Sequence, residues 1–227
     1  MNKKLNKKEV NNHIEKIVNS KNKLEKKTFI LLGVFISALI LANVLGTKIT
    51  TIFGISVSVG IFLYPLTFIC TDVVAEVRGK KVSRYFIKVG LISLLITFFF
   101  ILLSIYLPPA DRFIFNEEYK NIFSNSLRIV VASMFAFLIS QYHDIWAFHF
   151  LKKLTAGKFL WLRNNISTFF SQLIDTTIFM FIAFYMVTPE FNTLFIIQLI
   201  IPYWIFKLIL AAIDTPFVYL GVKWLRK

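Results

Sequence analysis

Residues 78–110 read RGKKVSRYFIKVGLISLLITFFFILLSIYLPPA. Four basic residues, Arg78, Lys80, Lys81 and Arg84, precede an apolar run over 85–107, and Pro108-Pro109 follows it. About 20 apolar residues at about 1.5 Å each cross a hydrocarbon core of about 30 Å as a helix. A helix also satisfies its own backbone hydrogen bonds, which lipid cannot do. The stretch therefore reads as one membrane crossing with a basic anchor on one side.

The same pattern recurs along the 227 residues. Spans are predicted over about 28–46, 57–77, 85–107, 127–149, 166–187 and 194–221, an all-α polytopic bundle of six transmembrane helices. A composition of 57% hydrophobic and 17% charged residues, with mean hydropathy +0.69, excludes an ordinary soluble domain. The loops supply an independent check. Segments 1–27, 78–84, 150–165 and 222–227 hold 9, 4, 4 and 3 Lys or Arg, whereas 47–56, 108–126 and 188–193 hold 1, 2 and none. The alternation predicts both termini in the cytoplasm of a cell with a plasma membrane. It divides the chain into a basic cytoplasmic tail, 1–27, and a transmembrane domain, 28–227.

The net charge of +14 is spread over these anchors, so no basic face is expected for nucleic acid. Cys70, the single cysteine, excludes an internal disulfide. The charged lead is too long for a signal peptide. Val10, Ile14, Ile17 and Leu24 could share one helix side, so the tail either lies on an anionic leaflet or stays solvated. Loop 108–126 is read as an exposed connector with a short interfacial helix, and Phe98, Phe99 and Phe100 as lipid-facing. Three spans per half is the arrangement of inverted-repeat transporters, but the halves show no sequence match.

Charged side chains inside spans cost several kcal/mol unless paired, hydrated or near an interface. Asp72, Glu76, Asp144, Asp175 and Asp214 lie in or near spans, with Lys207 as the cation inside the last one. Asp72 and Glu76 are four apart and share a helix face. Two acids so close can share a proton or bind a ligand's donors, or both pair with Arg78, Lys80 or Arg84. Asp175 lies mid-span with Gln172 one turn before it and Thr168 and Ser171 on the same side, a polar wall or a set of interhelical hydrogen bonds. Lys207 and Asp214 lie about 10 Å apart on one face, too far to pair, and Asp175 is the natural partner for Lys207. Pro65, Pro202 and Pro216 free backbone groups where a helix can kink beside a cavity. His143 and Asp144 point about 100° apart and no nucleophile motif accompanies them, so no enzyme is expected. The scattered histidines form no metal site, and no cofactor is expected.

Three segments together resemble the bacterial queuosine precursor transporter family, also called the vitamin-uptake transporter family. YPLTFICTDVVAEVRGKK (Tyr64 to Lys81) is similar to its aromatic-Pro-Leu-Thr-Phe…Asp…Glu signature. LWLRNNISTFFSQLIDTTIFMFIAF (Leu160 to Phe184) resembles its Trp-x-Arg-Asn-x-x-Ser-Thr…Gln-x-x-Asp-Thr block, and YWIFKLILAAIDTPFVY (Tyr203 to Tyr219) its lysine-then-Thr-Pro last helix. The resemblance runs over about residues 28–225. It implies import of a 7-deazaguanine base (the nitrile or aminomethyl precursor, or queuine) for tRNA modification. The expected binding set is Glu76, Asp72, Asp175, Gln172, Lys207, Asp214, Arg163 and Asn164. Tyr64, Phe68 and Tyr203 are the expected stacking partners. A carboxylate can take two neighbouring N–H donors of a guanine-like edge, and a flat ring stacks on an aromatic side chain for about 1–3 kcal/mol. A secondary transporter is the leading expectation. The alternative is the substrate-binding subunit of an energy-coupling-factor importer, for which Ala38 and Ala42 offer a small-x-x-x-small docking face. The chain has no Walker A loop. Energising subunits and homo-oligomerisation stay open.

Overall fold

The computed structural model describes residues 7–46, 48–52, 55–124, 126–186, 189 and 191–227. Among them are six helices long and apolar enough to cross a membrane: Val18–Leu45, Val59–Arg78, Lys80–Tyr106, Asn116–Leu154, Leu160–Phe184 and Thr193–Arg226. Each overlaps an expected span.

Helix α1, Lys7–Leu45, runs unbroken across the 27/28 boundary. Its side chains at Val10, Ile14 and Ile17 lie outside the described set, as do residues 1–6. Strands β1, Ile49–Ile52, and β2, Ile55–Ser58, then pair antiparallel, with Ile49 opposite Ser58 and Ile52 opposite Ile55. This hairpin replaces the plain loop expected between the first two spans. It is fastened to α1 through Ser58, whose hydroxyl donates to the Gly46 carbonyl at 2.6 Å and accepts from Gly60 N–H at 3.1 Å. A Cβ at Gly46 or Gly60 would collide with the Ala42 carbonyl, so this junction admits only glycine at both positions.

The second span begins as a single 3₁₀ turn, Val59–Phe62, and continues as α2, Tyr64–Arg78. Fifteen residues of α-helix cover only about 22 Å, so the 3₁₀ turn supplies the missing depth. Pro65 falls in the first turn of α2, where its missing N–H leaves no carbonyl unsatisfied, so it starts the helix rather than kinking it. Gly79, at φ +80°, turns the chain sharply into α3, Lys80–Tyr106. Helix α4, Asn116–Ser124, is the short connector helix, tied to α3 by Tyr119 Oη to Ser104 Oγ at 2.9 Å. Helices α5, Ser126–Leu154, α6, Leu160–Phe184, and α7, Thr193–Arg226, complete the bundle. Pro202 and Pro216 do sit inside α7.

Lys27 of α1 donates to the Trp224 carbonyl of α7 at 2.6 Å and lies 5.1 Å from that indole ring, so both termini belong to one end of the bundle. We call this the terminal end and the opposite one the hairpin end. Phe99 and Phe100 of α3 point outward, as lipid-facing residues should. Ala38 and Ala42, by contrast, are buried inside the chain. The first helix packs that face against its own hairpin and neighbours, so it is not a free docking surface for an energising partner.

The polar residues follow the burial. On α2 every residue from Thr67 to Ala75 except Ile69 is buried. On α6 the buried polar residues are Arg163, Asn164, Ser167, Thr168, Ser171, Gln172, Asp175 and Thr176, adjacent pairs that recur every four residues. That periodicity is the reverse of a soluble amphipathic helix: the polar stripe faces inward because lipid, not water, surrounds the bundle.

Candidate functional site

At mid-depth Asp175 of α6 meets Lys207 of α7, with Oδ2 and Nζ 2.6 Å apart. The Asp175 side chain is 2% exposed. Its other oxygen, Oδ1, accepts from Tyr64 Oη of α2 and Ser140 Oγ of α5, both at 3.1 Å. The ammonium lies 4.9 Å from the Tyr64 ring centroid and 5.4 Å from that of Tyr203. A charge in such a dry place needs a counter-ion, filled lone pairs and, for the cation, aromatic faces, and this pair has all three. The pairing expected between Lys207 and Asp175 is thus present. Four helices supply it.

Towards the terminal end of this pair a narrow cleft separates α2, α6 and α7, with a cavity volume of about 10 Å³, room for a water molecule. Asp72 and Phe68 of α2, Asn164, Thr168 and Gln172 of α6, and Lys207 and Asp214 of α7 line it. Asn164 Oδ1, Thr168 Oγ1 and Gln172 Oε1 are buried without a hydrogen-bond partner. Buried polar atoms are almost always paired, so three unpaired acceptors along one wall leave it open to a water or to a ligand's donors. Asp214 lines the same wall, half-buried and clear of the Lys207 ion pair. Tyr64 and Phe68 stand with ring centroids 6.2 Å apart at the edge of the cleft, whereas Tyr203 lies on the hairpin side of Lys207.

Behind the cleft, Asp144 of α5 brings its carboxyl beside that of Asp72, with Ser167 and Ser171 at its edge. Both acids are buried. Asp72 therefore has an acidic partner, but it is Asp144 from another helix rather than Glu76.

Glu76, one turn further along α2, belongs to a separate cluster at the terminal end. Its carboxylate accepts from Lys152 Nζ of α5 at 2.8 Å, Arg163 Nη1 of α6 at 3.0 Å and Arg226 Nη2 of α7 at 3.1 Å. Arg163 is 1% exposed and also donates to the Lys158 and Gly157 carbonyls, at 3.1 Å each, with its guanidinium 5.2 Å from the Phe148 ring centroid. The local pairing with Arg78, Lys80 or Arg84 that the sequence allowed is not made; the partners come from three other helices. Of the expected binding residues, the structure gathers Asp72, Asn164, Gln172, Lys207 and Asp214 on one cleft, sets Asp175 behind Lys207, and separates Glu76 and Arg163 from all of them. Ser140, Lys152 and Arg226 were not among the expected residues, and Asp144 was noted as a carboxylate within a span but not placed in the binding set. Ser140 and Asp144 share a face of α5 at i, i+4 beside Gln141, which was the available signal.

A six-helix membrane bundle with one buried polar cleft between α2, α6 and α7 is the class that this architecture defines. The family model described as "Putative vitamin uptake transporter" matches residues 58–221, and the chain belongs to that family. It is 30% identical over 202 residues to the "Probable queuosine precursor transporter" of Bacillus subtilis (strain 168), covering 87% of this chain and 86% of that protein. Identity to the "Queuosine precursor transporter" of Escherichia coli (strain K12) is 26% over 163 residues, covering 72% and 71%. A "Probable queuosine precursor transporter" of Haemophilus influenzae is 28% identical over 154 residues, covering 68% and 63%. No solved structure matches the chain.

Proposed function

We propose that this chain imports queuosine precursors, 7-deazaguanine bases such as the nitrile or aminomethyl precursor or queuine, across a bacterial plasma membrane by secondary transport. The observation that carries this reading is the row of unpartnered acceptors, Asn164 Oδ1, Thr168 Oγ1 and Gln172 Oε1, beside the Asp72 carboxyl. A guanine-like base presents adjacent ring N–H and amino donors on one edge and a carbonyl oxygen next to them. Asp72, Asn164 and Gln172 are matched to the donors, Lys207 to the carbonyl, and Tyr64 or Phe68 to the ring face. A site with unpaired acceptors rejects ligands that lack those donors, which gives selectivity as well as affinity. The names of the relatives support the same substrate class.

The basic terminal end faces the cytoplasm in this reading, supported by the loop-charge alternation. Coupling is assigned to a proton shared by Asp72 and Asp144, adjacent carboxyls of which one also lines the ligand cleft. Uptake of labelled 7-deazaguanines by a precursor-requiring strain expressing this chain tests the proposal. Saturable uptake abolished by a protonophore is expected; no uptake of any of the three bases refutes the substrate, and uptake indifferent to the protonophore refutes the coupling.

A further inference from the structure

The cavities along the bundle are unequal, and their order is informative. At the hairpin end a cavity of about 390 Å³ lies between Ile129, Phe179, Phe184, Phe191 and Tyr203. Tyr203 and Phe179 also line a second cavity of about 50 Å³ that reaches Tyr64, Asp175 and Lys207. On the other side of Lys207 lies the acceptor-lined cleft of about 10 Å³. Beyond the cleft Glu76 fastens the terminal end, and the cavity of about 770 Å³ found there is lined by the last residues of the chain alone, Pro216 to Lys227, and not by α2 or α6.

The two ends are held by different chemistry. Among the described residues no ion pair joins helices at the hairpin end, where Arg128 of α5 donates only to the Ile182 and Tyr185 carbonyls near the end of α6. At the terminal end one carboxylate holds α2, α5, α6 and α7 together through three cations. These are the helices whose separation would open the cleft towards that end.

From this we infer that Glu76, with Lys152, Arg163 and Arg226, is the gate of the terminal end. The structure is then the state that admits ligand from the hairpin end. The proposal rests on the transport reading. A heterocycle needs a pocket of roughly 300 Å³ or more, so the cleft must widen to hold one. Widening means that α7 moves away from α2 and α6, and Pro202 and Pro216, on either side of Lys207 and Asp214, each remove a backbone hydrogen bond that would resist bending. Arg226 lies on the same helix, ten residues beyond Pro216, so a bend there pulls its guanidinium away from Glu76. Filling the cleft and breaking the latch are thereby linked through one helix. Arg163 does not move in this scheme: its two bonds to the α5–α6 connection hold it in place as the fixed half of the latch.

Thiol accessibility tests the gate without using a substrate. With Cys70 replaced by alanine, a single reporter is placed at Val218→Cys, on the cleft, or at Ser133→Cys, on the hairpin-side cavity. A membrane-impermeant maleimide is applied to vesicles from the face that carries the termini or from the opposite face. Glu76→Gln is expected to speed labelling of Val218→Cys from the terminal face at least tenfold and to slow labelling of Ser133→Cys from the other face. Rates unchanged within twofold at both reporters overturn the gate. Should Glu76→Gln fail to accumulate in the membrane, Lys152→Gln and Arg226→Gln each remove one arm and are expected to shift both rates in the same directions by threefold or more; unchanged rates in both overturn it. Shifted labelling with no protection by any 7-deazaguanine refutes the substrate reading and leaves the gate, whereas protection with unshifted labelling does the reverse.

Discussion

Lys207→Met isolates the energetics of the mid-depth ion pair. Methionine keeps the length and apolar stem of lysine but removes the ammonium, leaving the Asp175 carboxylate with only Tyr64 and Ser140 as donors. Removing one partner of a buried pair costs about 3–5 kcal/mol, because the other charge stays behind without compensation. The ammonium lies between two aromatic rings, and losing those faces adds about 0.5–2 kcal/mol. The Tyr64 and Ser140 hydroxyls are bonded to Asp175 in parent and variant alike, so they leave the difference unchanged. A cost of at least about 3 kcal/mol follows, and for a chain of this size that lowers Tm by about 6–12 °C or more. Asp175→Asn alone strands the lysine instead and should cost a similar amount. The double variant Lys207→Met/Asp175→Asn strands neither charge, so the cycle should show a coupling of at least about 2 kcal/mol and a Tm closer to the parent than either single variant. Thermal unfolding in one detergent, followed by intrinsic fluorescence and by loss of soluble monomer, measures all four proteins. Additive effects within about 0.5 kcal/mol would refute the claim that the two residues form one buried unit.

Cysteines at Asn116 and at Lys80 should label from opposite faces of the membrane; labelling of both from outside the cell contradicts the inward placement of the termini. Asp144→Asn, which leaves Asp72 in place on the cleft, should keep counterflow of labelled base largely intact but abolish accumulation against a gradient, and full accumulation by the purified, reconstituted variant removes the shared proton from this pair. Asp175→Asn should reduce uptake at least about tenfold, roughly 1.4 kcal/mol, while the protein still reaches the membrane; normal uptake demotes the residue to packing. Gly60→Ala should lower the yield of folded protein, since its Cβ would meet the Ala42 carbonyl, and a parental yield and Tm would mean that α1 and the 3₁₀ turn separate at little cost.

What the sequence disclosed and what it hid divide along physical lines. The six helices were legible because a span must be about 20 apolar residues long and lipid offers no alternative backbone partner. The Asp175–Lys207 pair was legible for a related reason: Lys207 cannot reach Asp214 on its own helix, and a mid-span cation needs a mid-span carboxylate on another. Glu76 was not. Helical periodicity groups it with Asp72, yet four residues advance about 6 Å along the axis and turn about 40° past a full circle. In this bundle that offset separates a cleft residue from an end residue, and its partners lie 76, 87 and 150 positions away in the chain. No local pattern names partners at such distances. The hairpin escaped because 47–56 is too short to announce a sheet, although Ile49-Thr50-Thr51-Ile52 and Ile55-Ser56-Val57-Ser58 are rich in β-branched residues around a glycine.

The latch bears on how such a protein can change over generations. Lys152, Arg163 and Arg226 are among the basic residues whose excess at one end orients the chain during insertion. The same three side chains grip Glu76 once the helices have assembled. Orientation tolerates a charge moving a few positions along a loop; a three-point grip on one carboxylate does not. Most lysines at this end are therefore free to drift and be replaced nearby, while these three are pinned by a second duty. A descendant that shed its positive charge at this end, these three residues included, would also lose the grip on Glu76.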